Sequence, residues 1–211
     1  MVYLRIVVTG HRPKKLNNCY NINDKIYIDI ARQMRRFILS KMKELKNNEK
    51  IIMVSGMALG IDTIWALVAL KLKKQYPNIV ELECFVPCKD HSSNWFSETD
   101  KRRHADILKE ADKVNIADYE YKKDGPKVMQ IRNIAMINSL EENSEDCVLA
   151  VWDGTNGGTG NCVKYAEKKN IDVFKLHPFK LNLEIHKSVN TLNIEEGVDI
   201  QGKSFWKFIK K

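Results

Sequence analysis

The feature that most constrains the fold is an alternation. Short, almost wholly apolar runs are followed by turns, and the turns lead into longer amphipathic stretches. Residues 3–8 (interrupted only by Arg5), 51–54, 80–86, 113–116, 147–152 and 171–176 read as six strands. Between them, apolar residues recur at helical spacing. Ile26, Ile30, Met34, Phe37, Ile38, Met42 and Leu45 place a long helix over 22–45, and similar patterns predict helices over 61–72, 95–111, 127–140 and 162–169. Strands that are apolar on both faces belong to a parallel sheet covered on both sides. The expected architecture is therefore α/β, a Rossmann-like three-layer sandwich whose mainly parallel sheet is flanked by helices.

A chain of 211 residues suits one such domain. The alternation runs to about residue 180, so 1–180 is expected to form the domain and 181–211 a C-terminal extension, packed on it or forming a tail. In that extension Phe205, Trp206 and Phe208 are expected to pack on the domain. No apolar run reaches the roughly 20 residues of a bilayer span, and the N-terminus lacks a signal-peptide pattern. A cytoplasmic protein without membrane insertion is expected. The five cysteines are scattered, with Cys84 and Cys88 the nearest pair, and suggest neither a disulfide framework nor a zinc set. The net charge of +8 comes mainly from lysines spread over helix faces, which favours a solvated surface over a nucleic-acid groove.

Three strands end in glycine-bearing turns, and in a parallel sheet all three lie at the carboxyl edge, where such folds bind ligands. The strongest is Trp152-Asp153-Gly154-Thr155-Asn156-Gly157-Gly158-Thr159-Gly160-Asn161, a strand running into a glycine loop and then a helix. Glycines allow close backbone approach, and free N–H groups at a helix start attract anions. The second is Ser55-Gly56-Met57-Ala58-Leu59-Gly60-Ile61-Asp62. Here Ser55 offers a hydroxyl and Asp62 stands in the first helical turn, where a carboxylate either complements the dipole or meets a ligand. The third is Thr9-Gly10-His11-Arg12-Pro13, in which Arg12 can clamp a phosphate and His11 is either an acid–base group or a hydrogen-bonding partner. Arg132 and Asn133 open a fourth possible contact from a helix, although spacing alone reads Arg132 as a solvated surface arginine, and Trp95 is a candidate wall for a base or ribose.

Taken in order, TGHRP (9–13), SGMALGID (55–62), the stretch from Pro87 through Asn94 and Trp95 to Asp112, MQIRN (129–133) and AVWDG with GGTGN (150–161) resemble the SLOG superfamily. That group unites DprA/Smf-like proteins with LOG-type nucleotide phosphoribohydrolases, and the likeness is strongest to its YpsA/YoqJ-like branch of Gram-positive bacteria and their phages. The resemblance implies a Rossmann-like fold that holds a nucleotide or nucleotide-derived ligand on its glycine turns, and homo-oligomers are common in the group. In the LOG enzymes a helical arginine and a glutamate after the glycine loop serve N-glycosidic cleavage. Arg132 matches the arginine, whereas Asn161 stands nearest the glutamate's place, and an amide is no general base.

The function expected is binding of a nucleotide-type ligand as a sensor or sequestering protein, with a phage anti-defence sponge as a special case. No cofactor or metal is expected. Two alternatives remain. One is a LOG-type N-glycoside hydrolase or transferase, with Asp62, Asp153 and Arg132 as candidate catalytic residues. The other is a DprA-like binder of single-stranded nucleic acid, suggested by SGMALGID and the positive charge.

Overall fold

The structure, a computed structural model, describes residues 3–46, 49–142 and 144–187, and the backbone of two later strands. In chain order the elements are β1 (Tyr3–Gly10), a 3-10 turn (Pro13–Lys15), α1 (Lys25–Glu44), β2 (Lys50–Ser55), α2 (Ile61–Gln75), β3 (Val80–Val86), α3 (Glu98–Glu110) and β4 (Lys113–Ile116). There follow α4 (Tyr121–Asp124), α5 (Lys127–Asn138), β5 (Cys147–Val151), α6 (Gly158–Lys168), β6 (Asp172–Leu176), β7 (Leu183–His186), β8 (Ile194–Val198) and β9 (Ser204–Phe208). The strands of the main sheet lie in the order β4-β3-β2-β1-β5-β6-β7, all parallel except β7, which runs antiparallel to β6. This is the α/β Rossmann-like sandwich expected from the alternation.

The two faces of the sheet carry different helices. Leu4, Ile6 and Val8 of β1 point into a core with Ile30, Met34 and Ile38 of α1 and Ile61, Trp65 and Leu72 of α2. Val7 of the same strand points the other way, with Val54 and Ala150, against Met136 and Ile137 of α5 and Cys162, Val163 and Ala166 of α6. A strand with period-2 side chains buried on both faces must be apolar throughout, which is why the alternation was so legible. Arg5, the one interruption in β1, shares the face of Val7 by the same alternation and is partly buried there. Its guanidinium meets Glu83 of β3, which also binds Lys113 and Asn115 of β4. Burial alone would raise the Glu83 carboxyl, but these partners outweigh it and hold it below the usual range.

Element ends differ from the sequence expectation in informative ways. The third helix begins at Glu98 rather than Trp95, because the Ser97 hydroxyl accepts the Asp100 N–H and caps it. The sixth helix begins at Gly158 rather than at residue 162, so Gly158, Thr159 and Gly160 form its first turn. A short helix, Tyr121–Asp124, occupies part of the segment expected to be a loop. The aromatic end enters β9, which pairs with β8. The expected packing of Phe205, Trp206 and Phe208 falls on side chains outside the described residues. Among the described residues no helix is long and apolar enough to cross a membrane. All five cysteines are free, four of them buried, and burial pushes the Cys84 and Cys147 thiols up to about 12.

What matters for a site is where the chain reverses. From β1 the chain steps outward through β2, β3 and β4, then returns to place β5 on the other side of β1. The carboxyl ends of β1 and β5 flank this switch point, where connections leave toward opposite faces and a crevice opens. Gly10 ends β1 there, and a Cβ on it would lie 2.3–2.8 Å from three side-chain carbons of Ile61, which is fully buried. A stiff β-branched side chain in a filled core has no room to give way. Gly10→Ala is therefore expected to lower unfolding free energy by about 1–3 kcal/mol. Urea unfolding followed by circular dichroism checks this, and an unchanged midpoint would refute the close packing.

Candidate functional site

The switch point holds a cavity of about 420 Å³. Thr9, Gly10, His11, Arg12, Lys14 and Lys15 line it from the end of β1 and the turn after it. Ala58 and Asp62 come from the β2 turn and the start of α2, Arg132 and Asn133 from α5, and Gly158 and Thr159 from α6. Four separate motifs of the sequence thus meet around one space.

At one side stands the start of α6. Its first internal hydrogen bond runs from Asn161 N–H to the Gly157 carbonyl, at 2.9 Å. The N–H groups of Gly158, Thr159 and Gly160 have no protein acceptor among the described residues, and no side chain caps the helix. Free N–H groups and the positive end of the helix dipole favour an anion. Around a Cβ placed on Gly158 nothing lies within 4 Å, so the space beside it is open.

The glycine loop that leads into α6 is held tightly. Asp153 Oδ1 takes the hydroxyl and N–H of Thr155, at 2.7 and 3.0 Å, and lies 2.7 Å from His11 Nε2. Lys15 donates to Thr155 Oγ1 and to the Asn156 carbonyl, and the Trp152 indole N–H donates to the Thr155 carbonyl. With a carboxylate at 2.7 Å, Nε2 of His11 carries the proton and donates it. The longer 3.4 Å approach of the Asp153 N–H to the same nitrogen is then only a contact. Burial alone would raise Asp153, yet the Thr155 and His11 hydrogen bonds prevail and hold its carboxyl well below the usual range. Burial lowers His11 despite the Asp153 carboxylate beside it.

At the floor, Arg132 Nη1 donates to Asp62 Oδ2 at 2.9 Å, with both side chains less than a tenth exposed. Asp62 also accepts the Ala58 N–H, while the Arg132 Nε has no partner among the described residues. The guanidinium fills the space beside Gly56, where a Cβ would lie 1.5 Å from Nη1. By contrast the side chains of Arg12 and Lys14 are exposed at the rim and make no ion pair or hydrogen bond among the described residues.

Several expected ligand residues stand elsewhere. Ser55 is fully buried, its hydroxyl donating to the Asp62 carbonyl and accepting the Met57 N–H, so it shapes the turn below the cavity. At Gly60, φ +92°, an added Cβ would lie 2.9 Å from the His11 carbonyl oxygen, so this glycine serves the close approach of the two turns. Gly56, Gly154, Gly157, Asp153 and Asn161 lie outside the cavity wall. Trp95 borders a neighbouring recess of about 190 Å³ with Tyr20, His91 and Met129. Sequence reasoning missed Lys14 and Lys15, which look like ordinary surface lysines, and His91, which only the fold brings under the Met57 carbonyl, 3.0 Å away. Among the described residues no three His, Cys, Asp or Glu side chains gather as a metal set.

His91 gives the site a readable pH dependence. Burial pushes its imidazole down to about 3, and burial also lowers His104 beside it. An imidazole that is neutral when folded but titrates near 6.5 when unfolded stabilises the fold fully above pH 6.5, and stability is lost as pH falls toward 3. Stability is expected to decline below pH 6.5, by at most about 1.4 kcal/mol per pH unit per such histidine. Urea midpoints between pH 7.5 and 5 should therefore fall, and less steeply in His91→Gln, whose amide can still donate to Met57. An equal slope in the variant would refute the assignment to His91.

The arrangement has relatives. The chain is 32% identical over 161 residues, covering 70% of itself and 90% of the relative, to YoqJ of Bacillus subtilis (strain 168), described as an uncharacterized SPbeta prophage-derived protein. It is 27% identical over 145 residues, covering 68% of itself and 72% of the relative, to a UPF0398 protein of Macrococcus caseolyticus (strain JCSC5402). The family described as YspA SLOG matches residues 6–181, which take in the second half of β1, every strand from β2 to β6 and every residue of the cavity wall. Together with the ordered glycine turns at one sheet edge, this match shows that the chain belongs to the YspA SLOG family.

Proposed function

We propose that the protein binds a nucleotide or nucleotide-derived ligand in the switch-point cavity and acts as a sensor or sequestering protein. The observation that carries this reading is that the uncapped α6 start and the rim cations Arg12 and Lys14 line one cavity of about 420 Å³. That volume falls in the range of small-molecule sites, roughly 300–1,000 Å³. A phosphate fits on the N–H groups of Gly158, Thr159 and Gly160, where dipole and donors act together. The hydrogen-bonded loop from His11 to Lys15 holds these donors in place before a ligand arrives, which lowers the cost of ordering on binding.

Binding without cleavage is supported by what lines the wall. Among the described residues Asp62 is the one carboxylate there, and it is already engaged by Arg132 and the Ala58 N–H. Asp153 is engaged with Thr155 and His11, and Asn161 is exposed outside the cavity. The LOG-type hydrolase reading keeps Arg132 but needs a free acid–base group at the ligand. A single-strand binder is less supported, because many lysines are paired with acidic neighbours, as Lys73 with Asp112 and Lys175 with Glu167. In a YoqJ-like prophage context, sequestration of a signal nucleotide is the special case this reading favours.

The test is a thermal-shift screen with nucleotides, cyclic dinucleotides and ADP-ribose derivatives, followed by recovery of each hit. A ligand that binds only the folded state raises the melting temperature by mass action. The expected result is a stabilising ligand recovered intact. Free base plus sugar phosphate would establish an enzyme instead, and no shift with any probe would overturn the reading. Gly158→Leu should abolish the shift with an unchanged melting temperature of the free protein, since only open space surrounds that position. Full retention of binding would refute the placement of the phosphate.

A further inference from the structure

We infer that the ligand is of the nucleoside diphosphate class, with its terminal phosphate on the start of α6, its second phosphate between Arg12 and Lys14, and its base in the Trp95 recess. This rests on the reading of the cavity as a phosphate site and extends it to the shape of the whole ligand.

The main cavity and the recess are neighbours with a shared wall. Arg12, Lys14, Ala58 and Met129 line both. The two spaces differ in chemistry. Both carry Arg12 and Lys14 on their shared wall, but the larger also reaches the unpaired N–H groups of the α6 start, whereas the rest of the recess of about 190 Å³ is bounded by Tyr20, Trp95, Leu59 and Pro13. It has room for one ring system but not for a whole nucleotide. Its inner wall is an aromatic cluster: Trp95 stands edge-on to His91 and His104, with ring centres 5.3 and 5.1 Å away and planes inclined at 76° and 82°. His91 is locked by the Met57 carbonyl and is neutral at pH 7. The wall is therefore uncharged and set in place, a surface for stacking rather than for binding phosphate. Trp95 itself is only half-buried, and Tyr20 is 59% exposed, so aromatic surface remains free for a ligand.

The junction decides how many phosphates are bridged. A monophosphate on Gly158–Gly160 would leave Arg12 and Lys14, which have no partner among the described residues, facing no charge. A diphosphate places its second phosphate at that shared wall and carries the ribose and base onward into the recess. A free sugar phosphate or pyrophosphate would satisfy the cationic part and leave the aromatic part empty.

Calorimetric titration of the full chain separates these cases, using pyrophosphate, ribose 5-phosphate, the four common nucleoside monophosphates and the matching diphosphates. The expected order is diphosphate over monophosphate over ribose 5-phosphate for at least one base. Trp95→Ala should weaken that nucleotide by about 10-fold or more, a typical loss when an aromatic stacking partner is removed. Binding of pyrophosphate should change little in this variant, and Trp95→Phe should restore most of the affinity. Tyr20→Ala, at an exposed position, gives a second reading that does not depend on the stability of the cluster, and it should also weaken the nucleotide. Arg12→Gln should reduce the advantage of the diphosphate over the monophosphate. If ribose 5-phosphate binds as tightly as every nucleotide and neither aromatic substitution matters, the recess assignment is overturned while the phosphate site stands. If no nucleotide, pyrophosphate or ribose 5-phosphate binds, both fail.

Discussion

The geometry of this protein depends on one buried ion pair. Arg132 reaches from α5, which packs on one face of the sheet, to Asp62 in the first turn of α2, which packs on the other. The pair meets just beyond the end of β2, in space that exists because residue 56 has no side chain. Taking two charges out of water costs several kcal/mol per ion in effective terms, and apolar residues of the same volume would hold the helices together at least as well. What apolar residues cannot do is fix a guanidinium at the floor of a cavity with unused N–H groups. The stability argument for the pair is therefore weak and the positional argument strong. Removing either partner alone would leave an uncompensated buried charge, which couples the floor of the cavity to the integrity of the fold.

The same logic explains the glycines. Read from the sequence, the turns at Gly10, Gly56 and Gly60 suggest backbone left bare for a ligand. In the structure all three are bare for the protein itself: Gly10 for Ile61, Gly56 for Arg132, and Gly60 for the His11 carbonyl. Among the described glycines that line the cavity, Gly158 is the one that keeps open space. The turns of β1 and β2 are thus packed into each other, and the mobile-looking glycine loop after β5 is fastened by Trp152, Asp153 and Lys15. The site's loops are held both by bonds within each turn, as Thr155 to Asp153 and Met57 to Ser55, and by ties to another element, as His11 to Asp153 and Lys15 to Thr155.

How much of this could be seen in the residues follows from the range of each interaction. Strands buried on both faces must be apolar along their whole length, so strand positions, sheet type and the shared carboxyl edge of the three turns were legible. The resemblance to SLOG proteins added an arginine at 132, which spacing alone reads as a surface residue. The partnerships were not legible. His11 and Asp153 lie 142 positions apart, and Asp62 and Arg132 lie 70 apart, and no local pattern announces such pairs. Ser55 was expected to face a ligand, yet its hydroxyl is used by Asp62 and Met57 of its own turn. Lys15 resembles any other lysine until the fold brings the glycine loop to it.

A consequence concerns how such a scaffold changes its chemistry. The parts that the proposed reading assigns to an anion, meaning the helix start, the switch-point crevice and the arginine floor, are main-chain geometry and buried pairing. The parts that would act on the ligand are single side chains on the wall. In this chain the position nearest the LOG glutamate carries Asn161, an exposed residue outside the cavity, and the one carboxylate on the wall is paired. On the proposed reading, the helix start that would hold a phosphate does not use those side chains, so substitutions there would leave it undisturbed. Restoring an acid at residue 161 would not by itself suffice here: the side chain leaves α6 on its solvent side, so an enzyme would also need that turn rotated toward the cavity.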